Sequence, residues 1–348
     1  MARSDCIILY NASTVRQMPS SEEKIYPANL LREEAGAIEE SLRELGYAPL
    51  VLAIDYFTKD LVATIQRVAP KFIFNLCEEL QGDCELEMCI AGLFELMNIP
   101  YTGSRPLALG LALNKFRVKQ VLRAAGIPVP RGFLCPIGQQ LKPRALGRFP
   151  VFVKPVHEDA SLGINAHSVC HDFTQLERQV SYIHHVYNQD ALIEEFLEGR
   201  EFNVSILGGQ IARVLAISEI DFSSMPDGEP RIVSYRAKWD EESSVFQCSV
   251  PVCPAEIPHR LESRIKSIAM RSFQCVGCRD YARVDMRTDS LGNACVMDVN
   301  PNPDLSPHAG FFRAARAAGM TYTDMVSHIT QSALERVTKA PSTAYVFS

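Results

Sequence analysis

The chain has 348 residues, 47% of them hydrophobic and 22% charged, with a formal net charge of −6. That length exceeds what one hydrophobic core usually holds, about 250 to 300 residues, so two or three closely joined subdomains around a sizeable interior are expected. No apolar run approaches the roughly 18 residues that a membrane span needs, and a negative chain without a basic cluster argues against nucleic acid as the main partner.

The opening "MARSDCIILYNAS" reads as a first strand rather than a signal peptide, which makes the cytoplasm the default location. Eleven cysteines are scattered, several among apolar neighbours (Cys6, Cys89, Cys295), and read as reduced, partly buried thiols. The one C-x-x-C, Cys275 to Cys278, has neither a second pair nor a histidine at zinc-finger spacing.

After "CIILY", the run "NLLREEAGAIEESLRELGY" places Leu31, Ala35, Ile38, Leu42 and Leu45 on one helical stripe, with Gly46 as a stop. Two further strands, "APLVLAI" and "KFIFNL", flank a helical stretch from Leu61 to Val68, and "CELEMCIAGLFELMNIPYTG" is a helix closed by Pro100. This βαβαβα order predicts a doubly wound parallel sheet, whose ligands usually sit beyond the carboxyl ends of the strands. Neither G-x-G-x-x-G after the first strand nor G-x-x-x-x-G-K-[ST] occurs, so no dinucleotide or Walker signature is present.

From Asn114, "NKFRVKQVLRAAGIPVP" is a capped helix with Phe116, Val121, Leu122 and Ala125 turned inward. "FPVFVKPVHEDASLGI" reads as a strand ending at Lys154 and Pro155, then a turn of small residues. A helix from about Phe173 to Tyr187 precedes two strands around the turn "EGR", and the polar stretch from Asp221 to Cys253 predicts a long mobile loop. The last third returns to a helix ("HRLESRIKSIAMRSFQCVG"), two strands ("YARVDMR", "ACVMDVN") and two terminal helices from about Phe311.

The turn "TDSLGN" makes those two strands an antiparallel hairpin, with Asp285 opposite Asp298 and Arg283 opposite Asn300 on one shared face. Two carboxylates and an amide oxygen suit Mg²⁺, and an adjacent arginine suits a phosphate or a developing oxyanion; a solvated charged face reads equally well on these four residues alone. Small residues after Lys154 let backbone N–H groups approach a phosphate beside a lysine. Glu194, Glu195 and Glu201, near strand ends, could accept hydrogen bonds from an adenine amino group or ribose hydroxyls, or could simply be exposed.

In this order the pieces resemble an ATP-grasp enzyme of the D-alanine:D-alanine ligase type. The matching stretches run from about Ile99 to Gly319 and include "AAGIPVP", "FPVFVKP" with "EDASLGI", "LIEEFLEGREFNV", "YRAKW", "GCRDYARVDMR" and "DVNPNPDLSPHAGFFRAARAAG". The resemblance implies an α/β ATP-grasp fold: an N-terminal doubly wound (pre-ATP-grasp) domain over 1–107, a central subdomain over 108–190, a C-terminal subdomain over 191–338 and a tail over 339–348. It further implies that Lys115, Lys154 and Ser161 contact ATP phosphates, that Glu194 and Leu197 line the adenine pocket, that Glu201 holds the ribose, and that Glu195 is among the nucleotide-binding residues. Asp285, Asp298 and Asn300 would bind two Mg²⁺ ions, or Mn²⁺ in their place, Arg283 would stabilise an oxyanion, and Lys238 would close onto the γ-phosphate with Trp239 packing a lid over Tyr235 to Ser244.

The activity so implied is an ATP- and Mg²⁺-dependent ligase that joins a carboxylate to an amine of small amino-acid-like substrates through an acyl phosphate. The alternatives are an ATP-grasp phosphotransferase, a ligase with a non-amine nucleophile, or a nucleotide-binding regulatory protein without turnover. Similar ligases are commonly dimers, which leaves a homodimer open. Two departures bear on substrate and metal. The family's "HG..GEDG" loop is replaced by "NLCEELQGDCELE", with Glu78, Glu79 and Asp83 as candidate contacts to a cationic group, and so D-alanine is not expected as the first substrate. Asp298 stands where the family usually has glutamate.

Overall fold

Alternate residues of strand β1 (Cys6–Asn11) feed two different cores in the computed structural model, which describes residues 4–12, 30–141 and 148–339. Cys6 and Ile8 pack with Ala35, Ile38 and Leu42 of the helix Leu30–Glu44, whereas Ile7 and Leu9 pack with Leu61 and Ile65 of the helix Lys59–Val68. Successive strand residues point to opposite faces, so helices on both sides make this a doubly wound sheet. β1 pairs in parallel with β2 (Pro49–Ile54) and with β3 (Ile73–Leu76), in the order β2-β1-β3. The first helix ends at Glu44, so Leu45 falls off the expected stripe and is exposed. Residues 13–29 follow β1, where the resemblance expects a Gly- and Ser-rich motif and the chain has "YNASTVRQMPSSEEK" instead; they lie outside the described residues, as does the tail from Ala340.

The middle sheet is antiparallel, in the order β4-β7-β5-β6, from β4 (Gly132–Cys135), β5 (Val151–Pro155), β6 (Val169–Cys170) and β7 (Ala191–Glu195). Val151, Val153 and Ile193 bury one face against Leu176, Val180 and Ile183 of the helix Phe173–Val186. That leaves the face carrying Phe152, Lys154 and Glu194 for other work. β7 (Ala191–Glu195), which begins just past the boundary expected at 190, pairs with β4 and β5 in this sheet. The boundary expected at 107 falls inside the helix Pro106–Leu113, which the sequence did not announce.

The third sheet has the order β10-β9-β8-β11-β12, with β8 (Glu201–Leu207), β9 (Arg213–Asp221), β10 (Val250–Val252), β11 (Tyr281–Thr288) and β12 (Ala294–Asn300). The two strands around "EGR" are therefore not a hairpin: β7 and β8 belong to different sheets. Phe202, Val204, Val284 and Met286 bury one face against Ile265 and Phe273 of the helix His259–Val276. Each fully buried side chain of this kind contributes about 1.5–3 kcal/mol, which anchors the strands and leaves their other face free to be polar.

Two sequence expectations are corrected here. The stretch from Asp221 to Cys253 is not one irregular loop: it holds the short helices Tyr235–Trp239 and Ser244–Gln247 and strand β10, and it buries Met225, Ile232 and Tyr235. In the helix Lys115–Ala124, Leu122 is buried as expected, but Val121 and the cap residue Ala125 are exposed, and Lys115, Val118 and Lys119 complete the buried face. Polar patterning misleads for a different reason in each place: in the first, polar residues such as Ser234 and Ser243 cap short helices, and in the second the lysines are buried against carboxylates that lie far along the chain.

Candidate active site

The polar face of the third sheet is assembled by strand register. On β11, Arg283, Asp285 and Arg287 alternate with buried apolar residues; β8 sets Ser205, Asn203 and Glu201 opposite them, and β12 sets Asn300 opposite Arg283 and Asp298 opposite Asp285. The register then slips, with Met286 paired to Val296, so Met297 is the extra residue of a bulge. Its carbonyl accepts from Lys154 Nζ at 3.4 Å, and the middle sheet thereby reaches β12.

Each carboxylate of the facing pair is held by a cation. Arg283 donates from Nε and Nη2 to Asp285 at 2.7 and 2.8 Å, and Asn203 Nδ2 adds a third bond at 2.8 Å. Burial alone would lower the pKa of Arg283, but Asp285 outweighs it and the guanidinium stays firmly charged. Asp298 lies 3.2 Å from Lys115 Nζ. Burial would raise its pKa, yet Lys115, Lys154 and Lys119 together draw it down to about 2. Asn300 turns its Oδ1 to the backbone N–H of Asn302 at 2.8 Å.

The lysines come from β5 and from the helix Lys115–Ala124, whose start is fixed by the Asn114 cap on the N–H of Arg117 and by the bond from Lys115 N to Val156 O. Lys115 is nearly inaccessible and also bonds Asp159 at 2.8 Å. Its pKa is raised, because Asp159 and Asp298 overcome the desolvation that would lower it. One turn on, Lys119 donates to both oxygens of Glu194 at 2.5 Å. Glu194 lies flat against β4, where a Cβ on Gly132 would come within 2.5 Å of Ile193 O and 2.9 Å of Glu194 Cγ. Glycine is the residue that this approach tolerates.

Glu195 is placed differently from its neighbour. It follows Glu194 on the strand, so its side chain takes the other face, where it accepts from the N–H of Arg131 at 2.9 Å. Its carboxylate therefore does not share the Glu194 face, which corrects the grouping of the two. Leu197 is buried just beyond β7, and Glu201 meets Arg287 at 3.1 Å with its pKa raised mainly by burial.

Ser161 sits in the loop after β5 with φ of 63°, beside Ala160 at 54°, a left-handed turn that tightens the loop over Lys154. The helix Tyr235–Trp239 closes on this loop: Tyr235 N–H donates to Ile164 O at 2.9 Å, and Trp239 Nε1–H donates to Ala160 O at 3.0 Å. Lys238 lies over the Trp239 ring at 4.8 Å. Its pKa is lowered by burial and by Arg283, against the pull of Asp304 and Glu78.

Of the N-terminal candidates, Asp83 caps the turn Cys84–Leu86 through the N–H of Glu85, and Glu79 is buried. Asn11, at the end of β1, holds that loop by accepting from the N–H groups of Glu78 and Glu79 and donating to Glu79 O. Cys275 and Cys278 are free thiols, and burial pushes Cys278 up to about 12.

Among the described residues, no group of three His, Cys, Asp or Glu side chains is assembled as a metal site. Two facing aspartates and an amide still fit Mg²⁺, which takes few protein oxygens and completes its shell with water and phosphate. Sequence reasoning missed Lys119, Asn203, Arg287 and Asp159. Lys119 had a signal, since its spacing of four from Lys115 puts both on one helix face, whereas Asn203 is visible only once β8 is known to lie beside β11.

The model of the family described as "D-ala D-ala ligase C-terminus" matches residues 138–331. The chain belongs to the D-alanine–D-alanine ligase family. It is 32% identical to a D-alanine–D-alanine ligase of Desulforudis audaxviator over 86% of this chain and 92% of that one. It is 33% identical to an uncharacterized protein of Sinorhizobium fredii over 87% and 88%. The crystal structure of the Bacillus anthracis D-alanine–D-alanine ligase complexed with ATP superposes with a TM-score of 0.71, covering 96% of this chain and 98% of that one at 20% identity. The fold is thus the ATP-grasp fold of this ligase family, with a parallel-sheet domain at the N-terminus. No helix among the described residues is long and apolar enough to cross a membrane.

Proposed function

We propose that the protein is a cytoplasmic ATP- and Mg²⁺-dependent ligase that joins a carboxylate to an amine, using small amino-acid-like substrates other than two D-alanines. The observation that carries this reading is the convergence of Lys115 and Lys154 on the strand that bears Asp298 and Asn300, opposite Asp285 and Arg283. Family membership supports the reaction class.

In this reading ATP lies between the two polar sheet faces, with Lys115, Lys154 and the Ser161 loop on its phosphates, Glu194 and Leu197 toward the base and Glu201 toward the ribose. Asp285, Asp298 and Asn300 would hold Mg²⁺, which neutralises phosphate oxygens when bound. A substrate carboxylate attacks the γ-phosphorus and the bond to ADP breaks, while Lys238 meets the charge that develops on the transferring group. An amine then attacks the carbonyl carbon of the acyl phosphate, Arg283 stabilises the tetrahedral oxyanion, and the intermediate collapses as phosphate leaves and takes up the proton that the nitrogen gives up. Acyl phosphates hydrolyse readily, and the seal of Trp239 on Ala160 gives water exclusion a physical basis.

The altered N-terminal loop supports a different first substrate: Glu79 is buried and Asp83 is spent as a cap, so the loop is built for its own geometry. The test is ADP release with pooled amino acids and amines. ADP and phosphate should form only with both substrates present, and oxygen-18 should pass from the carboxylate to phosphate. AMP and pyrophosphate as products would overturn the reading, and a phosphorylated product without an amine would favour a phosphotransferase.

A further inference from the structure

Three lysines, Lys115, Lys119 and Lys154, reach the same interior, and exposure does not separate them at 4%, 2% and 4%. Their pairing does. Lys115 is committed to Asp159 and Asp298 at 2.8 and 3.2 Å, and Lys119 to both oxygens of Glu194 at 2.5 Å. Lys154 is the least committed: its nearest partners are the Met297 carbonyl at 3.4 Å and Glu194 Oε2 at 3.7 Å.

Glu194 is 1% exposed and cannot turn to water, so its carboxylate must take a cation from within the protein. Two are in reach, and Lys119 holds the place. Gly132 leaves the Glu194 side chain pressed against β4, so the carboxylate cannot retreat from either lysine. Were the Lys119 charge missing, Lys154 would be the nearest cation and would close the short gap to Glu194. A lysine fixed to a buried carboxylate is no longer available to a phosphate.

We infer that Lys119 is a positioning residue of the nucleotide site: by occupying Glu194 it keeps Lys154 free to meet the ligand's phosphates. The inference rests on the proposed placement of ATP. It assigns Lys119 no contact with the nucleotide, and it explains a second buried lysine one turn from Lys115 that the reaction itself does not require.

The test compares the affinities of ATP and of adenosine, measured calorimetrically on the full chain without other substrates. In Lys119→Gln the ratio of ATP to adenosine affinity should fall about tenfold, because Lys154 is captured while the base and ribose contacts persist. In Lys119→Gln/Glu194→Gln the carboxylate that captures Lys154 is gone, and the ratio should return to within about threefold of the parent protein. A merely structural Lys119 would lower the melting temperature and leave the ratio unchanged in the single variant, which overturns the inference. So does a double variant as depressed as the single one, since Lys119 would then act on phosphate directly. If Lys119→Gln does not fold, Lys119→Met supplies the single variant, since it removes the same charge and leaves Glu194 to Lys154. A parent protein that binds neither ligand would instead sink the placement of ATP.

Discussion

Asp285 and Asp298 face each other across the β11–β12 ladder, and each is closed by a different cation, Arg283 on the first and Lys115 on the second. Facing carboxylates would otherwise repel, so a divalent ion entering between them must compete with cations of the chain. Asp298→Asn should raise the Mg²⁺ concentration needed for half-maximal ADP release about tenfold or more. An unchanged Mg²⁺ titration would remove Asp298 from the metal site.

The same residue has a pH signature. Its folded pKa, about 2, lies below the usual aspartate value of 3.8, so the stability it brings is full above 3.8 and is lost as pH falls through 2. The stability gap between the parent and Asp298→Asn, read from urea midpoints, should hold steady from pH 7 to 5 and narrow below pH 4. A gap that widens on acidification would contradict the ion pair with Lys115.

If Lys115 meets the phosphates of ATP as proposed, Asp159 is an odd neighbour for it, because a carboxylate that holds the ammonium also repels a triphosphate. Asp159→Asn should release Lys115 and lower KM for ATP by about threefold to tenfold with kcat little changed. Steady-state kinetics at saturating second substrates decide it, and a higher KM would mean that Asp159 takes part in nucleotide or metal binding.

How much of this was legible depends on how local each relationship is. The facing of Asp285 and Asp298 follows from strand period and a short turn, and the structure has that register. Lys119 is hidden in the sequence because apolar side chains point to Val121 and Ala125 as the inward face, whereas the helix buries Val118 and the lysines. Burial of a lysine is intelligible only with its carboxylate, and Glu194 lies 75 residues on. Glu194 and Glu195 look alike in sequence, yet as adjacent residues of one strand they point apart, as the alternation of strand side chains requires. The segment from Asp221 to Cys253 looked like a loop because its polar residues cap short helices, Ser234 for Tyr235–Trp239 and Ser243 for Ser244–Gln247.

Two bonds hold the helix Tyr235–Trp239 to the loop after β5, one from the backbone of Tyr235 to Ile164 O and one from the Trp239 indole to Ala160 O, and the indole is the one that a substitution can remove. Trp239→Phe keeps the ring but loses the bond to Ala160 O, a net contribution of about 1 kcal/mol, enough to shift a lid equilibrium severalfold. Phosphate release per amide formed should rise severalfold, as the acyl phosphate meets water before the amine. A one-to-one ratio of phosphate to amide would show that the seal lies elsewhere.

Glu34 supplies a pH test away from the nucleotide. On the first helix it is 5% exposed and accepts from the N–H of Leu305, at the loop that follows β12, at 2.7 Å. Burial, and then Asp304, push its pKa well above the usual 4.5, while the Leu305 bond pulls the other way. The folded state therefore binds this proton more tightly than the unfolded chain does, so the associated stability is full below 4.5 and is lost as pH rises through the folded value. Glu34→Gln keeps an acceptor for Leu305 and carries no charge. Its stability relative to the parent should improve steadily from pH 5 to pH 8, read from urea midpoints at each pH. If the difference between the two proteins stays flat across that range, Glu34 is ionised throughout and the docking of the Leu305 loop tolerates a buried carboxylate.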